Sequence, residues 1–478
     1  MSDLAAEYRL LKSAFDAVEQ GHVFTFWTEL AEDERRILLD DLKSINLTQL
    51  PGVAALAQKP DAHAAIPDDL TPAEVIPRES VGRDTIRLGE KLLEEGRVAA
   101  FTVAGGQGTR LGFDGPKGAL PVSTVRGKTL FQLFAESILA TERRYRTTVP
   151  WYIMTSPAND AQTQAFLRRY QFFGLAPDRV RFFQQGVMPS FDSQGKILLD
   201  QRNRVALSPD GHGGSLLAMA TSGVLADMAA RGVDYISYFQ VDNPLVFCLD
   251  PVFIGLHAAG GAEMSSKIVP KADDLEKVGN FATSGGKQIV IEYSDMPESV
   301  ARSRNPDGSR RFDAANIAIH ILSRSFVERL TADRASFALP WHIARKKIPF
   351  VDPSTGGRVE PLEPNGVKIE AFVFDALPLA RAATLLRTSR ENEFSPVKNK
   401  TGVDSIETAR RDMSRRAENW LLQAGLIDEH DANAMPPVAC EISALAALDA
   451  AELAERARRG MISVHRIDHP TPAIVIDA

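Results

Sequence analysis

The residues best suited to chemistry lie in one stretch, Ala104-Gly105-Gly106-Gln107-Gly108-Thr109-Arg110-Leu111-Gly112, with Pro116-Lys117-Gly118 close behind. Glycines after a strand let backbone amides approach a bound anion without a Cβ in the way, and they accept positive φ. A lysine a few residues further on can neutralise charge developing on a phosphate. Two common glycine loops do not fit. The dinucleotide fingerprint GxGxxG needs a third glycine where Leu111 stands, and no Gly-Lys pair has the glycine five positions earlier that GxxxxGK[ST] requires. What remains is GGxGTRLG…PKG, longer and more specific than either. Its plain alternative is a tight turn with a surface lysine.

Other residues stand where chemistry is possible. Asp242 ends the apolar run YISYFQV, and α/β folds bind ligands at the carboxyl ends of strands. A carboxylate there suits a divalent cation, or else a turn or helix cap. Gln185 follows the run VRFFQ; its amide can donate and accept, as a nucleobase edge requires, or it is an ordinary polar loop residue. Gly211 and His212 lie in PDGHGG, just ahead of an expected helix near Ser215 whose N-terminus would favour an anion. Without further context, such a histidine is a loop residue. Cys248 reads as a core residue.

These residues need a scaffold, and the pattern supplies one. Short apolar runs at Val98–Ala104, Trp151–Met154, Val180–Gln184 and Tyr235–Val241 alternate with helical periodicity at Leu130–Arg146 and Ala161–Tyr170. That alternation predicts an α/β fold with a mainly parallel, Rossmann-like sheet covered on both faces. The first 60 residues or so read as helices, with Leu10, Leu11, Phe15 and Val18 at helical spacing. Pro51–Pro77, rich in Ala, Pro and Asp, reads as a linker or arm, followed by a short helix over Thr85–Glu95. Residues 264–375 carry further strand-like pieces (KQIVIEY, NIAIHI, IEAFVF) expected to form an antiparallel or mixed extension. The expected division is a helical N-terminal region at 1–85, a catalytic domain at 86–398 split near 250 (86–250 and 251–398), and a small C-terminal domain at 399–478.

Composition narrows the function. The chain has 478 residues, 44% hydrophobic and 24% charged, in the globular range. A net charge of −7 provides no broad basic surface for nucleic acid. The two cysteines form no CxxC pair, which argues against a disulfide framework or a cysteine-rich zinc site. No apolar run reaches the roughly 20 residues needed to span a bilayer, and the N-terminus has no signal-like apolar block. A soluble cytoplasmic protein is expected, monomeric or weakly homo-oligomeric.

The glycine-loop segment resembles the signature of the nucleotide-diphospho-sugar pyrophosphorylases. It is most similar to the eukaryotic-type branch containing the UDP-N-acetylglucosamine and UDP-glucose pyrophosphorylases. The likeness continues in the family's order through FQQGVMPSFD, SPDGHGG, QVDNPLV, VGNF…IVIEYSD, NIAIH, NGVKIEAFVFD, EFSPVKNK and CEIS, over most of the chain. It implies a GT-A-like nucleotidyltransferase core, Mg²⁺ as cofactor, UTP and a sugar 1-phosphate as substrates, and a UDP-sugar and pyrophosphate as products. By the same resemblance, Arg110, Lys117 and Lys398 have catalytic roles, and Ala104, Gly105, Gly106, Lys117, Gln185, Gly211, Asp242 and Lys368 bind UTP. His212, Gly279, Glu292, Asn316 and Lys398 take the sugar phosphate, and Asp242 holds the metal. Lys398, in a Pro-flanked loop, suits a mobile clamp.

One departure bears on the sugar. His212 stands where the N-acetylglucosamine branch has Asn, in GNGG, whereas enzymes for glucose and for a broad range of UDP-sugars tend to have GHG. VGNF, NGVKIEAFVFD, EFSPVKN and CEIS favour N-acetylglucosamine 1-phosphate; His212 favours glucose or galactose 1-phosphate. From other classes, a non-catalytic UTP or UDP-sugar binder is disfavoured by Lys117, Asp242, Lys368 and Lys398 occurring together. A nicotinamide dehydrogenase is disfavoured by the missing glycine.

Overall fold

Apolar runs of five or six residues, bracketed by turn formers, settle into a central sheet. The computed structural model describes residues 4–59, 66–334, 337–428, 438–467 and 472–477. The main strands are β1 (Ile76–Pro77), β2 (Val98–Val103), β3 (Trp151–Thr155), β4 (Val180–Gln184), β5 (Tyr235–Gln240), β6 (Met264–Pro270), β7 (Ala314–Ser323) and β8 (Ala383–Arg387). They lie in the order β1-β8-β6-β7-β5-β2-β3-β4. Neighbours are parallel except where β7 runs antiparallel to both β6 and β5. The expected mainly parallel α/β sheet is therefore present.

The chain forms two compact units: one of residues 1–65, 185–218 and 331–376, the other of 66–184, 219–330 and 377–478. The second unit holds the whole β1–β8 sheet. Helix Arg83–Glu94 packs against helix Pro251–Ala259 through two facing glycines. A Cβ on Gly89 would lie 1.9 Å from the Pro251 carbonyl oxygen, and one on Gly255 equally close to that of Thr85. Only glycine permits so close a crossing. Asp250 caps the second of these helices, accepting from the Val252 amide at 3.1 Å, with Pro251 in the first turn.

The same Asp250 belongs to a buried charge cluster. Lys267 of β6 is fully buried; its Nζ lies 2.7 Å from Asp250 Oδ2 and also donates to Glu393 Oε2. Arg78 forks onto Asp250, with Nη2 2.9 Å from Oδ1. Burial alone would raise the Asp250 carboxyl, but Lys267 and Arg78 overcome it and hold the group far below the carboxylate range.

The C-terminal part of this unit carries helix Ile406–Gln423 and a small sheet of Ala439–Ile442, Ala473–Ile476 and His465–Ile467. In the first unit, helices Leu4–Ala17, Glu32–Lys43 and Leu50–Ala57 share a core with the sheet Trp341–Lys346, Gly366–Ala371, Phe191–Asp192.

Two sequence expectations change. The linker expected from Pro51 begins as helix Leu50–Ala57. Proline is harmless in a first turn, where no amide needs an intrahelical partner, and Val53, Ala54 and Ala57 bury an apolar face. Residues 60–65 of that expected linker lie outside the described residues. The extension expected at 264–375 is divided: Asn316–Ile321 sits inside the main sheet as part of β7, Lys287–Ile291 forms a hairpin with Asn280–Ser284, and Gly366–Ala371 joins the first unit's sheet. Periodicity marks a strand but carries no information about its neighbours.

Candidate active site

The glycine loop leaves the C-terminal end of β2, and every carbonyl of its first turn is tied back into the protein. Ser156 Oγ donates to the Gly105 carbonyl at 2.8 Å. Asn159 Nδ2 donates to those of Ala104 and Gly106, at 2.8 and 3.2 Å. The Lys117 amide also donates to the Gly106 carbonyl, at 3.1 Å. A Cβ on Gly106 would meet no protein atom within 4 Å, so nothing in the protein demands glycine there. The space suits a ligand pressed against the backbone. Ser156 and Asn159 escaped the sequence reading; the signal was a polar pair after a strand, too common to single out.

Lys117 and Asp242 come together. The lysine follows the loop, the carboxylate follows β5, and Nζ lies 3.8 Å from Oδ2 with 18% and 13% of each side chain accessible. That is too long for a tight pair and short enough for both to face one bound group. Lys398 joins them through the backbone: the Val397 amide donates to the Asp242 carbonyl at 2.8 Å. Asn243 fixes the same crossing, donating to the Glu393 carbonyl at 2.7 Å and accepting from the Ser395 amide at 3.2 Å. The Lys398 ammonium lies 5.9 Å from the Phe394 ring centre. Arg110 is exposed in the short helical turn Thr109–Leu111, without an ion pair among the described residues.

Gly279, Glu292 and Asn316 also meet. The Asn316 amide donates to the Gly279 carbonyl at 2.8 Å, and a Cβ on Gly279 would lie 3.0 Å from Glu292 Oε1 and 3.6 Å from Asn316 Cβ. Asn316 Oδ1 accepts from the amide of Ala318 at 2.9 Å; Ala318 has φ +54°. The side chain thus stabilises a left-handed residue inside β7, and its NH₂ can donate to other partners.

Gln185, Gly211, His212 and Lys368 belong to the first unit. Gln185 is buried, while Lys368 is half-buried on strand Gly366–Ala371 without an ion pair among the described residues. Gly211 has φ +85°, and a Cβ there would lie 2.4 Å from the Ala371 carbonyl oxygen. Both conditions exclude a side chain. The His212 ring stacks near Phe372, its centre 5.1 Å away, and Nδ1 accepts from the Val373 amide at 3.1 Å. An accepting Nδ1 leaves the ring proton on Nε2. His342, 2.8 Å from Asp375 through Nε2, packs on the same Phe372. This aromatic group was not singled out in the sequence.

Asp210 is a second omission. Its carboxyl wedges between two glycines, 2.2 Å from where a Cβ of Gly186 would sit and 2.3 Å from that of Gly214. Oδ1 is buried and has no hydrogen-bond partner among the described residues. Burial pushes the carboxyl from its ordinary 3.8 up to about 7, with only a backbone hydrogen bond opposing it. A pKa raised by folding contributes stability that is present below 3.8 and lost as the pH rises through about 7. Asp210→Asn should remove this slope. In urea titrations across that interval, wild type should lose stability relative to the variant as pH rises; a pH-independent difference would contradict the assignment.

Among the described residues no cluster of three or more His, Cys, Asp and Glu could hold a metal by itself. Asp242 still fits Mg²⁺, which takes one or two carboxylates and fills its remaining positions with phosphate oxygens and water. A lysine facing a carboxylate at the strand ends, beside a glycine loop, suits the transfer of a nucleotidyl group between phosphates, and the enzyme class is nucleotidyltransferase.

Residues 61–426 match the family described as UTP–glucose-1-phosphate uridylyltransferase, and the chain belongs to it. Human UDP-N-acetylhexosamine pyrophosphorylase-like protein 1 is 39% identical over 461 residues, covering 89% of this chain and 90% of its own. The UDP-N-acetylglucosamine pyrophosphorylase of Saccharomyces cerevisiae is 35% identical over 442 residues, covering 87% of this chain and 91% of its own. The crystal structure of the Trypanosoma brucei uridine diphosphate N-acetylglucosamine pyrophosphorylase superposes with a TM-score of 0.82 at 25% identity, covering 99% of this chain and 98% of that one. The protein is a uridylyltransferase of the UDP-sugar pyrophosphorylase type.

Proposed function

We propose that the enzyme joins UTP to N-acetylglucosamine 1-phosphate, with Mg²⁺ held by Asp242, and releases pyrophosphate. The observation carrying this reading is the approach of Lys117 to Asp242 at 3.8 Å, beside a loop whose Ala104, Gly105 and Gly106 carbonyls are engaged within the protein. A sugar-phosphate oxygen forms the new bond to the UTP α-phosphorus while the α–β bridging bond breaks and pyrophosphate leaves with its electron pair. The nucleophile is already ionised at neutral pH, so no general base is needed; placement and charge supply the acceleration. Lys117, Lys398 and Arg110 balance the phosphates, with Lys368 a further phosphate-facing cation. Bound Mg²⁺ would add charge neutralisation at the phosphate oxygens. Ala104–Gly106 underlie the nucleoside, and Gln185 and the Gly211 backbone read the uracil edge. Gly279, Glu292 and Asn316 address the sugar.

The choice of N-acetylglucosamine rests on the relatives' substrates and on the VGNF, NGVKIEAFVFD and CEIS segments. A second reading, glucose or galactose 1-phosphate, rests on His212, whose Nε2–H is a donor where an amide would both donate and accept. The test is pyrophosphate release from UTP with each sugar phosphate in turn. The expected result is at least a tenfold preference in kcat/KM for N-acetylglucosamine 1-phosphate, about 1.4 kcal/mol in transition-state binding; the reverse preference would establish the second reading. UTP binding without release from any sugar would leave a binding protein. His212→Asn should raise the ratio for the acetylated sugar further, and an unchanged ratio would mean that the sugar is read elsewhere.

The proposal includes a cytoplasmic location and a monomer or weak homo-oligomer. Both cysteines are buried, and among the described residues no helix is long and apolar enough to cross a membrane.

A further inference from the structure

Within the second unit lies a cavity of about 570 Å³ lined by helices Leu130–Tyr145 and Ile406–Gln423 and by segments 244–252 and 388–393, the first following Asp242 in the chain and the second preceding Lys398. Its volume falls within the roughly 300–1,000 Å³ of small-molecule sites. Three of its cations are neutralised by the protein: Arg78 by Asp250, Lys128 by Glu136 and Arg144 by Asp449. Arg416 is not. Its guanidinium packs on Trp420, 5.2 Å from the ring centre, and Nη1 donates to the carbonyls of Leu245 and Asn392 at 2.9 and 3.0 Å. No carboxylate among the described residues forms an ion pair with it. Burial lowers its pKa to about 10, with Glu393 the larger of two opposing influences. A half-buried guanidinium whose hydrogen-bond partners are neutral carbonyls lacks the counter-charge that a carboxylate or phosphate supplies bidentately.

We propose that this cavity binds a small organic anion, its single acid group on Arg416 and its planar apolar body against Trp420 and Phe134. Glu90, Glu391 and Glu441 also line the cavity and repel a second acid group, which selects ligands with one anionic head. The site is coupled to catalysis. The two carbonyls that Arg416 holds belong to the segments that Asn243 clamps together, and those segments lead directly to Asp242 and to Lys398. Drawing the guanidinium toward an anion loosens that tie and changes how the two catalytic groups are presented.

Salicylate is a suitable probe, with salicylamide as its uncharged counterpart. In calorimetric titrations at fixed ionic strength, salicylate should bind with a Kd of about 1 mM or tighter, and salicylamide at least about tenfold more weakly. Arg416→Gln should cost about tenfold in salicylate affinity. Ala444→Phe, which fills the cavity and leaves Arg416 in place, should abolish binding and keeps the test usable if Arg416→Gln folds poorly. Equal affinity in both variants and wild type, or no binding up to about 10 mM, would overturn the site. The rate arm rests on the proposed uridylyl transfer: saturating salicylate should change the kcat of pyrophosphate release by about fivefold in wild type and leave Ala444→Phe unaffected. Binding through Arg416 with an unchanged rate would refute the coupling alone. Absence of turnover in the untreated enzyme would refute the catalytic reading and leave the binding result standing.

Discussion

Lys117→Ala is expected to lower kcat for pyrophosphate release by about 10²–10³, the usual cost of deleting one preorganised group that faces developing charge. The expectation follows from position. The Lys117 amide is anchored to Gly106, so the lysine backbone moves with the nucleotide loop. Its ammonium faces Asp242 across 3.8 Å, a separation that a phosphate oxygen or a cation can share. Folding stability should change little, because a partly accessible ion pair of that length contributes about 1 kcal/mol or less. Lys117→Arg should recover part of the rate: it restores the charge and displaces it. Steady-state kinetics with saturating UTP, alongside urea unfolding, separates the outcomes. Undiminished kcat would remove Lys117 from the reaction; a large loss of stability would make its role architectural.

How much of this was legible beforehand depends on the range of the interaction. The strands at 98–103, 151–155, 180–184 and 235–240 were readable because apolar content and length are local properties. The glycine loop and Asp242 were readable because both stand at strand ends, where α/β folds place ligands. Asn159 was not: it acts by donating to Ala104 and Gly106, more than fifty residues earlier, and nothing in TSPAND announces that reach. Asp210 lies inside a motif the sequence did single out, yet its altered acidity comes from burial beside Gly186 and Gly214. The antiparallel insertion of β7 was equally hidden, since a buried strand reads the same in either direction. The helix at Leu50–Ala57 was missed for a local reason: proline was read as a breaker at the one helical position where it is at home.

The buried cluster around Lys267 was wholly unreadable, and the second large effect is expected there. Lys267→Met should lower the unfolding free energy by about 3–5 kcal/mol, the cost of leaving a buried charge without its partner. Two carboxylates, Asp250 and Glu393, are 1% and 6% accessible and share this ammonium. Arg78 reaches Asp250 closely but Glu393 only at 3.9 Å, so it cannot replace the lysine for both. Lys267→Met/Glu393→Gln should therefore recover part of the loss, because the remaining Arg78–Asp250 pair is neutral. The introduced amide can still accept from the Thr388 hydroxyl, as Glu393 does at 2.7 Å. The pH dependence gives a second reading. Folding depresses the Asp250 carboxyl, so its contribution is present above the ordinary 3.8 and is lost as the pH falls below it. Without Lys267 the burial cost is less opposed, the folded carboxyl rises, and acid destabilisation should begin at higher pH. Urea titrations of wild type and both variants at neutral and acidic pH measure all three effects. A single variant as stable as wild type would mean that the cluster sits in water after all; a double variant no better than the single would mean that the packing of the Lys267 side chain, whose ammonium lies near the Phe247 and Phe253 rings, matters more than its charge.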